Sequence, residues 1–323
     1  MAISTIQTKT MRDALIERIY CRMKENDRIF FVSADMGAPA LDKLREDFSD
    51  RFVNVGIAEQ NLINLAAGLS LEGFTVYAYA IAGFISMRAY EQIRTNLALL
   101  SQQRRINVNL IAVGGGVSYD MSGPSHHCLE DLAIIRTLPN IALCSPSDWV
   151  VAEDFVDFSI NVSGPKYIRL DGKPLPRIYD GDSRVEWEEG FHELASGDEV
   201  CIVSTGYMTH KALAIAETLR AEGRRVGVID MFLLKSFNAE ALFALLQKYQ
   251  SIVTMEEAFV NKGGLDSLVS TLLGSRDSKA RLVRLGFKDQ YVSAYGSRDF
   301  LYAQNQIDDK KIIETISNLV GSI

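Results

Sequence analysis

The sequence has few cysteines and no uncharged run long enough to span a membrane. Its four cysteines are widely spaced and form no CxxC pair, so we expect reduced thiols and a cytoplasmic location rather than disulfides or a structural zinc site. The longest uncharged stretch, 73–87, is shorter than the roughly 18 to 20 residues that span a membrane. Lys and Arg number 34 against 41 Asp and Glu, without a dense basic run, so no nucleic-acid partner is expected.

The composition is that of a globular protein, with 47% hydrophobic and 23% charged residues over 323 positions. This length fits about two domains of the usual size. Apolar runs of strand length alternate with helix-length segments in two blocks, and a stretch rich in Pro, Gly and acidic residues separates the blocks. We therefore predict two α/β domains, 1–175 and 191–323, joined by a linker at 176–190. Each domain should contain a mostly parallel, doubly wound sheet with helices on both faces.

The individual elements follow from the apolar runs and the capping signals. Thr10 and Asp13 form a capping-box pair that predicts a helix from Met11 to about Asn26. The predicted strands are 29–33, 52–55, 75–80, 108–113, 141–144 and 167–170 in the first block, and 199–204, 225–230, 251–255 and 280–285 in the second. Helices are predicted at 210–221, 239–249 and 265–273. Glu256 and Glu257 are interpreted as the turn after the third strand of the second block.

In open α/β sheets, ligands bind beyond the carboxyl ends of the strands, and three loops of the first block stand out there. Glu59 begins a helix after a glycine turn, where it could simply complement the helix N-terminus. The Gly-, Ser- and Pro-rich loop 114–127 ends in His126 and His127, which could be ordinary capping residues or functional groups. An apolar cluster beginning at Phe84 could be core or could stack on a planar heterocycle. Neither a Walker loop nor a zinc-like ligand spacing is present.

Taken together and in order, these loops resemble the C-terminal half of transketolase and of deoxyxylulose-phosphate synthase, enzymes that use thiamine diphosphate. The matching segments span nearly the whole chain. They are SAD at 33–35, DRFVNVGIAEQ at 50–60, AAGLSLEGF at 66–74, RAYEQI at 88–93, SGPSHH at 122–127, PNIALCSPSD at 139–148 and VTMEEA at 253–258.

The resemblance implies a role for each domain and for particular residues. The first domain would bind the pyrimidine ring of the cofactor, and the second would be the family's C-terminal domain. Glu59 would be catalytic and would share a proton with the pyrimidine nitrogen, whereas His126 would contact the donor oxygens and move protons there. The implied cofactor-binding residues are Asp35, Glu59, Phe84, Ile85, Met87, Arg88 and Tyr90. The implied substrate-binding residues are Ser122, His126, His127 and Arg169.

Departures from the family pattern are equally informative. The family's GDG motif with a later Asn, which binds Mg²⁺ (or Ca²⁺) and the diphosphate, is absent from this sequence, so the metal is expected on a partner subunit and no metal ligand is assigned here. Ser122 stands where the family usually has Asp. The triple glycine at 114–116 and Gly172 stand where the family grips phosphate, with Arg169 and Lys173 as possible substitutes.

These observations predict the small, C-terminal subunit of a split transketolase, a transferase of carbohydrate metabolism. It would move a two-carbon ketol unit from a ketose to an aldehyde, with a sugar or sugar phosphate as substrate. It would be active only with an N-terminal subunit that carries the GDG motif, in an α2β2 heterotetramer. One alternative is the β subunit of a 2-oxo acid dehydrogenase, which the SGPSHH segment disfavours. Another is a non-catalytic assembly subunit, which the retention of Glu59 and His126 disfavours.

Overall fold

A computed structural model describes residues 8–179 and 185–320. The assignment of 176–190 as a linker stays a prediction, and part of it, 180–184, lies outside the described residues. The strands of the first part are β1 (Thr8–Thr10), β2 (Ile29–Ser33), β3 (Phe52–Asn54), β4 (Thr75–Ile81), β5 (Asn107–Val113), β6 (Ala142–Cys144), β7 (Lys166–Leu170) and β8 (Pro174–Pro176). Its α-helices are α1 (Met11–Glu25), α2 (Leu41–Asp47), α3 (Glu59–Leu71), α4 (Tyr90–Gln92), α5 (Asp131–Arg136) and α6 (Trp149–Asn161).

Six of these strands form a fully parallel sheet in the order β3-β2-β4-β5-β7-β6. Every residue of β5 and β7 is buried, as expected for a sheet covered on both faces. One face packs on a hydrophobic cluster that includes α3, and the other packs on a cluster that includes α1 and α6. The predicted fold class is confirmed, and each predicted strand of the first block overlaps an observed one.

The predicted first helix is also present. The Thr10 side chain accepts a hydrogen bond of 3.0 Å from the Asp13 N–H, so the capping interaction read from the sequence forms. The helix buries Met11, Leu15 and Ile19 on the sheet, and it ends at Glu25. Its entry is fixed by a two-stranded antiparallel ribbon of β1 and β8, which the sequence did not indicate.

The second part of the chain forms a five-stranded sheet in the order β13-β12-β10-β11-β9. The strands are β9 (Phe191–Ala195), β10 (Val200–Ser204), β11 (Val226–Met231), β12 (Ser251–Phe259) and β13 (Arg281–Phe287). The helices are α7 (Met208–Ala221), α8 (Ala239–Leu246), α9 (Leu265–Gly274), α10 (Arg298–Asn305) and α11 (Asp309–Val320). The edge strand β9 runs antiparallel to β11, and the other pairs are parallel.

One expectation for this second sheet was wrong. Glu256 and Glu257 are not in a turn but in the buried part of β12, which continues to Phe259. These carboxyl groups are accommodated in the core because each has hydrogen-bond partners. Glu256 accepts the backbone N–H groups of Leu265 and Asp266 at the start of α9, at 2.7 and 2.8 Å. Buried acids in a strand interrupt the apolar pattern, and the strand therefore looks shorter in the sequence than it is.

The two domains share backbone hydrogen bonds and core. Ser145 N donates to Phe232 O at 2.8 Å, and Leu234 N donates to Leu143 O at 2.9 Å. One hydrophobic cluster includes residues of both sheets, among them Tyr167 and Ile229. The carboxyl ends of β10, β11 and β12 thus face the first domain. No helix within the described ranges has the length and apolar character needed to cross a lipid bilayer.

Candidate functional site

The candidate site lies at the carboxyl edge of the first sheet, where four loops converge because parallel strands end on the same side. These loops follow β2, β3, β4 and β5. The residue after the β3 loop is Glu59, the first residue of α3, whose carboxyl is only 2% exposed. No side chain caps this helix, since Ala58 stands at the N-cap. The Glu59 side chain therefore lies beside the free N–H groups of the helix N-terminus.

Arg88 is the partner of Glu59. Its Nη1 lies 2.5 Å from Glu59 Oε2, while its own side chain is 48% exposed. The Gln60 side chain donates to the Arg88 carbonyl at 3.3 Å, which ties the segment Phe84–Arg88 to α3. This segment is a π-helical turn, a local widening of the helix that often occurs at functional sites. An ion pair thus joins the buried carboxyl to the solvent-exposed side of the site.

Phe84 contacts both Arg88 and His126. The Arg88 guanidinium lies 5.1 Å from the centre of the Phe84 ring, within cation–π distance. The His126 ring meets the same ring edge to face, with centroids 5.5 Å apart and planes at 61°. The Ser125 hydroxyl lies 3.1 Å from His126 Nδ1. We call these four side chains the site row: Glu59, Arg88, Phe84 and His126.

Asp35 lies beside this row, on the loop after β2. Its φ of 55° is in the left-handed region, and Asn54 fixes it there. Asn54 accepts the Asp35 N–H at 3.0 Å and donates its amide to the Asp35 carboxylate at 2.9 Å. It also accepts the Gly56 N–H at 3.0 Å. Sequence reasoning missed Asn54, although an Asn two residues before a glycine at a strand end is a turn signal.

Other predicted cofactor residues lie around the row without joining it. Ile85 is fully buried in the hydrophobic core. The Tyr90 hydroxyl donates to the Ile134 carbonyl at 3.0 Å and lies 2.8 Å from the Thr137 hydroxyl, so it is engaged by the end of α5. Met87 is 45% exposed and can present its side chain to a ligand.

The predicted substrate residues are also separated by the structure. Ser122 is exposed on the loop after β5, whereas His127 is buried. Burial lowers the pKa of His127 and outweighs the effect of the nearby Asp120 charge, which acts to raise it. Within the described part of the chain neither ring nitrogen meets hydrogen-bond geometry. The neutral imidazole is therefore the favoured form at this position.

Arg169 is occupied elsewhere. Its Nε donates to buried Asp131 at 2.9 Å, and its Nη2 donates to the carbonyls of Cys128 and Glu257 at 2.9 and 2.8 Å. The Lys173 ammonium pairs with Asp120. Neither cation is brought to the site row.

The glycines at the proposed phosphate positions have a steric explanation. A Cβ on Gly114 or Gly172 would collide with the ring of Tyr119, and a Cβ on Gly115 would collide with Arg169. Gly114 also has a φ of +92°, which side chains rarely adopt. The Tyr119 ring thus fills space that side chains at Gly114 and Gly172 would otherwise occupy.

The comparisons with known proteins agree with this architecture. The model of the transketolase pyrimidine-binding domain matches residues 7–176, and the model of the transketolase C-terminal domain matches residues 191–312. The chain belongs to the transketolase family. The resemblance read from the sequence motifs is therefore confirmed.

Relatives of similar length are separate transketolase subunits. An apulose-4-phosphate transketolase subunit of Actinobacillus succinogenes is 30% identical over 96% of this chain and 98% of its own length. The 6-deoxy-6-sulfo-D-fructose transketolase subunit SqwH of Clostridium sp. (strain MSTE9) is 28% identical over 94% of this chain and 92% of its own length. A solved structure described as a split-gene transketolase, inactive beta4 tetramer, has a TM-score of 0.86 at 32% identity and covers 97% of this chain and 98% of that chain. These matches confirm the prediction of a transketolase subunit of the split type.

Membership of the transketolase family implies thiamine diphosphate as the cofactor. The site row fits its pyrimidine ring. A buried carboxyl such as Glu59 can exchange a proton with a ring nitrogen, and the partly buried ring of Phe84 can offer a face to a planar heterocycle. Among residues 8–179 and 185–320 no group of three His, Cys, Asp or Glu side chains is arranged to hold a metal ion.

Proposed function

We propose that this chain is the C-terminal subunit of a split transketolase that transfers a two-carbon ketol unit from a ketose donor to an aldehyde acceptor. The observation that supports this most strongly is the site row. It joins a buried carboxyl to an imidazole through an arginine and an aromatic ring. Within the transketolase family, this arrangement provides both a group for activating the cofactor and a group for handling the donor.

Glu59 is the residue we assign to the cofactor. Thiamine diphosphate supplies a nucleophilic thiazolium carbon to which the two-carbon unit is transferred. The Glu59 carboxyl, held at the start of α3, would share a proton with the pyrimidine nitrogen and thereby favour the tautomer that activates this carbon. Arg88 balances the carboxylate charge. Because Arg88 is about half exposed, a ligand can reach it from solvent.

His126 is the residue we assign to the donor. Ser125 engages Nδ1, which leaves Nε2 to face a substrate oxygen. An imidazole can both donate and accept a hydrogen bond, so it suits a hydroxyl whose proton moves during carbon–carbon cleavage. We keep Asp35, Phe84, Met87 and Arg88 as cofactor contacts and Ser122 as a substrate contact. We leave out Ile85, Tyr90, His127 and Arg169, whose side chains are buried or engaged elsewhere.

The diphosphate and its metal ion are assigned to a second subunit. This sequence has no GDG motif with a later Asn, so we propose that an N-terminal transketolase subunit supplies this motif and holds Mg²⁺ or Ca²⁺. The solved relative is described as an inactive beta4 tetramer, which supports partner dependence for this chain. The proposed assembly is an α2β2 heterotetramer with the active sites between the two kinds of subunit.

The substrate proposal concerns the phosphate group that ordinary sugar substrates carry at the end farthest from the reacting carbon. Ordinary sugar phosphates need cationic contacts, but Arg169 and Lys173 are paired with acids, and Tyr119 fills the space above Gly114 and Gly172. Each missing charged hydrogen bond weakens binding by about 1.5 to 3 kcal/mol. We therefore propose a modified or non-phosphorylated sugar, or a phosphate held by the partner subunit. The names of the two relatives, apulose-4-phosphate and sulfofructose transketolase subunits, show that split enzymes of this family differ in substrate.

The decisive experiment is reconstitution. The purified chain, with thiamine diphosphate and Mg²⁺, should show no ketol transfer, and transfer should appear when the N-terminal subunit is added. The partner is expected to be about 250 to 300 residues long, from typical domain sizes. Turnover by the chain alone would contradict partner dependence.

The same assay separates the alternatives. Oxidative decarboxylation of 2-oxo acids by the complex, without ketol transfer, would indicate the 2-oxo acid dehydrogenase family. No turnover with a competent partner and a broad set of ketoses would indicate an assembly subunit. Comparing kcat/KM on ribose 5-phosphate with that on non-phosphorylated aldehydes tests the substrate proposal, and a clear preference for ribose 5-phosphate would contradict it.

A further inference from the structure

The loop that carries His126 is held in part by the C-terminal domain. At its base, Gly116 and Cys128 exchange backbone hydrogen bonds of 2.9 and 2.8 Å. Val117 and Leu129 are both buried in the hydrophobic cluster built from the second sheet and its helices. The two ends of the loop are thus anchored in the core of the other domain.

A second anchor acts at Asp120, in the middle of the loop. Asp120 is buried, and its Oδ2 accepts the backbone N–H of Arg298 at 2.7 Å and the Lys173 ammonium. Burial acts to raise the pKa of Asp120, but these two donors outweigh it and hold the pKa below its usual value. The carboxylate therefore stays charged and bound to the first residue of α10.

Arg298 itself is fixed in place by two acids. Its Nη2 donates to Asp171 at 2.5 Å, and its Nε lies 3.2 Å from Glu257 Oε1. The guanidinium also lies 3.9 Å from the ring centre of Tyr207. Asp171 follows β7 of the first domain, while Glu257 belongs to β12 of the second. Arg298 therefore links both domains at the point where its backbone holds the loop.

The third anchor is the ring of Tyr295 over Gly123. A Cβ on Gly123 would collide with this ring, and Gly123 has a φ of +78°. The Gly123 carbonyl accepts the backbone N–H groups of His126 and His127 at 3.0 and 3.3 Å. Tyr295 thus covers the residue whose carbonyl orients the histidine pair.

We propose that Tyr295 and Arg298 are positioning residues through which the C-terminal domain holds the 118–127 loop, and with it His126, in the geometry that ketol transfer requires. This inference rests on the proposed function of His126. It assigns the C-terminal domain a task in the reaction although none of its residues belongs to the site row. A misplacement of about 1 Å is enough to lower a reaction rate substantially.

Hydrogen exchange on the full-length chain tests the positioning directly. In Tyr295→Ala, the amides of His126 and His127 should exchange at least about 10-fold faster than in the wild type, because local opening of the loop becomes easier. Tyr295→Phe keeps the ring and should restore slow exchange. Tyr291→Ala is the matched control, since Tyr291 and Tyr295 are both exposed, at 73% and 66%, whereas the Tyr291 ring meets Phe259 rather than the loop. Unchanged exchange in Tyr295→Ala would overturn the proposal.

Kinetics of the complex with the N-terminal subunit test the consequence. We expect Tyr295→Ala to lower kcat about 10-fold, with unchanged affinity for thiamine diphosphate, and Tyr291→Ala to stay close to wild type. Faster exchange without a fall in kcat would overturn the catalytic part of the proposal. If the wild-type complex transfers no ketol unit, the proposed function fails, and the exchange data alone decide whether Tyr295 orders the loop.

A second variant tests the same contact from the side of the loop. Gly123→Ala should displace the loop, because the added Cβ would collide with the Tyr295 ring and because residues other than glycine rarely adopt the φ of Gly123. If Tyr295 acts through Gly123, the effects of the two changes on exchange and on kcat should be strongly non-additive in the double variant. Additive effects would contradict the proposed contact.

Discussion

The two sheets of this chain offer the same kind of binding edge, but only one is open. At the carboxyl edge of the first sheet, Arg88 is about half exposed, and Ile57 and Met121 are 76% and 71% exposed. At the carboxyl edge of the second sheet, Asp230 and Glu257 are almost completely buried. The architecture thus creates two candidate sites, and domain packing closes one of them.

The Asp230 carboxylate of the closed edge is held by hydroxyl groups. Asp230 accepts hydrogen bonds from the hydroxyls of Ser147, Thr209 and Tyr179 at 2.7 to 2.8 Å. Ser147 lies in the first domain, so this carboxylate is a link between domains. A carboxyl at a strand end is therefore evidence of a ligand site only where no other domain covers it.

Glu59→Gln should remove the reaction at the open edge. A neutral amide cannot exchange the proton, so kcat should fall by about 10²- to 10⁴-fold, while folding is preserved because the substitution keeps the shape of the side chain. The measurement is ketol transfer by the reconstituted complex, together with exchange of the thiazolium proton followed by NMR.

Glu72→Gln is the matched control, since Glu72 is exposed at the other end of α3. It should behave as wild type. If the thiazolium proton exchanges at the wild-type rate in Glu59→Gln, Glu59 has no part in activating the cofactor.

His126→Ala should have the next largest effect. We expect kcat for the donor to fall by about 10²-fold, the lower end for a general acid or base, with little change in the affinity for thiamine diphosphate. His192→Ala, on β9 of the second domain, serves as the control. Weaker cofactor binding with normal turnover at saturation would place His126 at the pyrimidine rather than at the donor.

The sequence predicted the fold well where strands are buried on both faces. Strands such as Thr75–Ile81 are continuous apolar runs, because both faces of the sheet are covered. The antiparallel edge strand Phe191–Ala195 was missed, since it is mostly half buried and has no such run. Helix α11 was missed as well, and the buried acids of β12 made that strand look short.

For the site, the sequence located single residues but not their partners. The position of Glu59 at a helix start follows from the glycine turn before it, and the structure agrees. The link between Asp120 and Arg298 joins residues 178 positions apart, and it exists only because the domains pack edge to edge. Local patterns contain no information about such packing, so the support of the His126 loop could not be predicted.

Asp230→Ala should lower the free energy of unfolding without changing the rate of ketol transfer. Three buried hydroxyls lose their acceptor, so the free energy of unfolding should fall by about 1 to 3 kcal/mol. Urea denaturation measures this, and Asp198→Ala, which removes an exposed acid of the same domain, is the control. The kcat of the folded complex should stay near wild type. A loss of kcat without loss of stability would mean that Asp230 belongs to the reaction.

The smallest expected effect is a pH dependence of stability that arises at the closed edge. Burial raises the pKa of Asp230 to about 6, although its three hydroxyl partners act in the opposite direction. The folded chain therefore binds this proton more tightly than the unfolded chain, whose Asp has its usual pKa near 3.8. It follows that the stability contributed by this proton is complete below about pH 4 and is lost as the pH rises through about 6. Burial also raises the pKa of Glu256, to about 7, which extends the loss in the same direction.

Urea midpoints measured between pH 5 and 7.5 should consequently fall with rising pH in the wild type. The Asp230→Asn side chain cannot titrate, so the fall of the urea midpoint with pH should be shallower below pH 6.5 in this variant. The fall that arises from Glu256 should remain. Asp198→Asn should keep the wild-type slope. An unchanged slope in Asp230→Asn would show that this carboxyl does not take up a proton in the folded chain. Asp230 would then be charged in the folded chain. The two sheet edges would differ only because the first domain covers one of them.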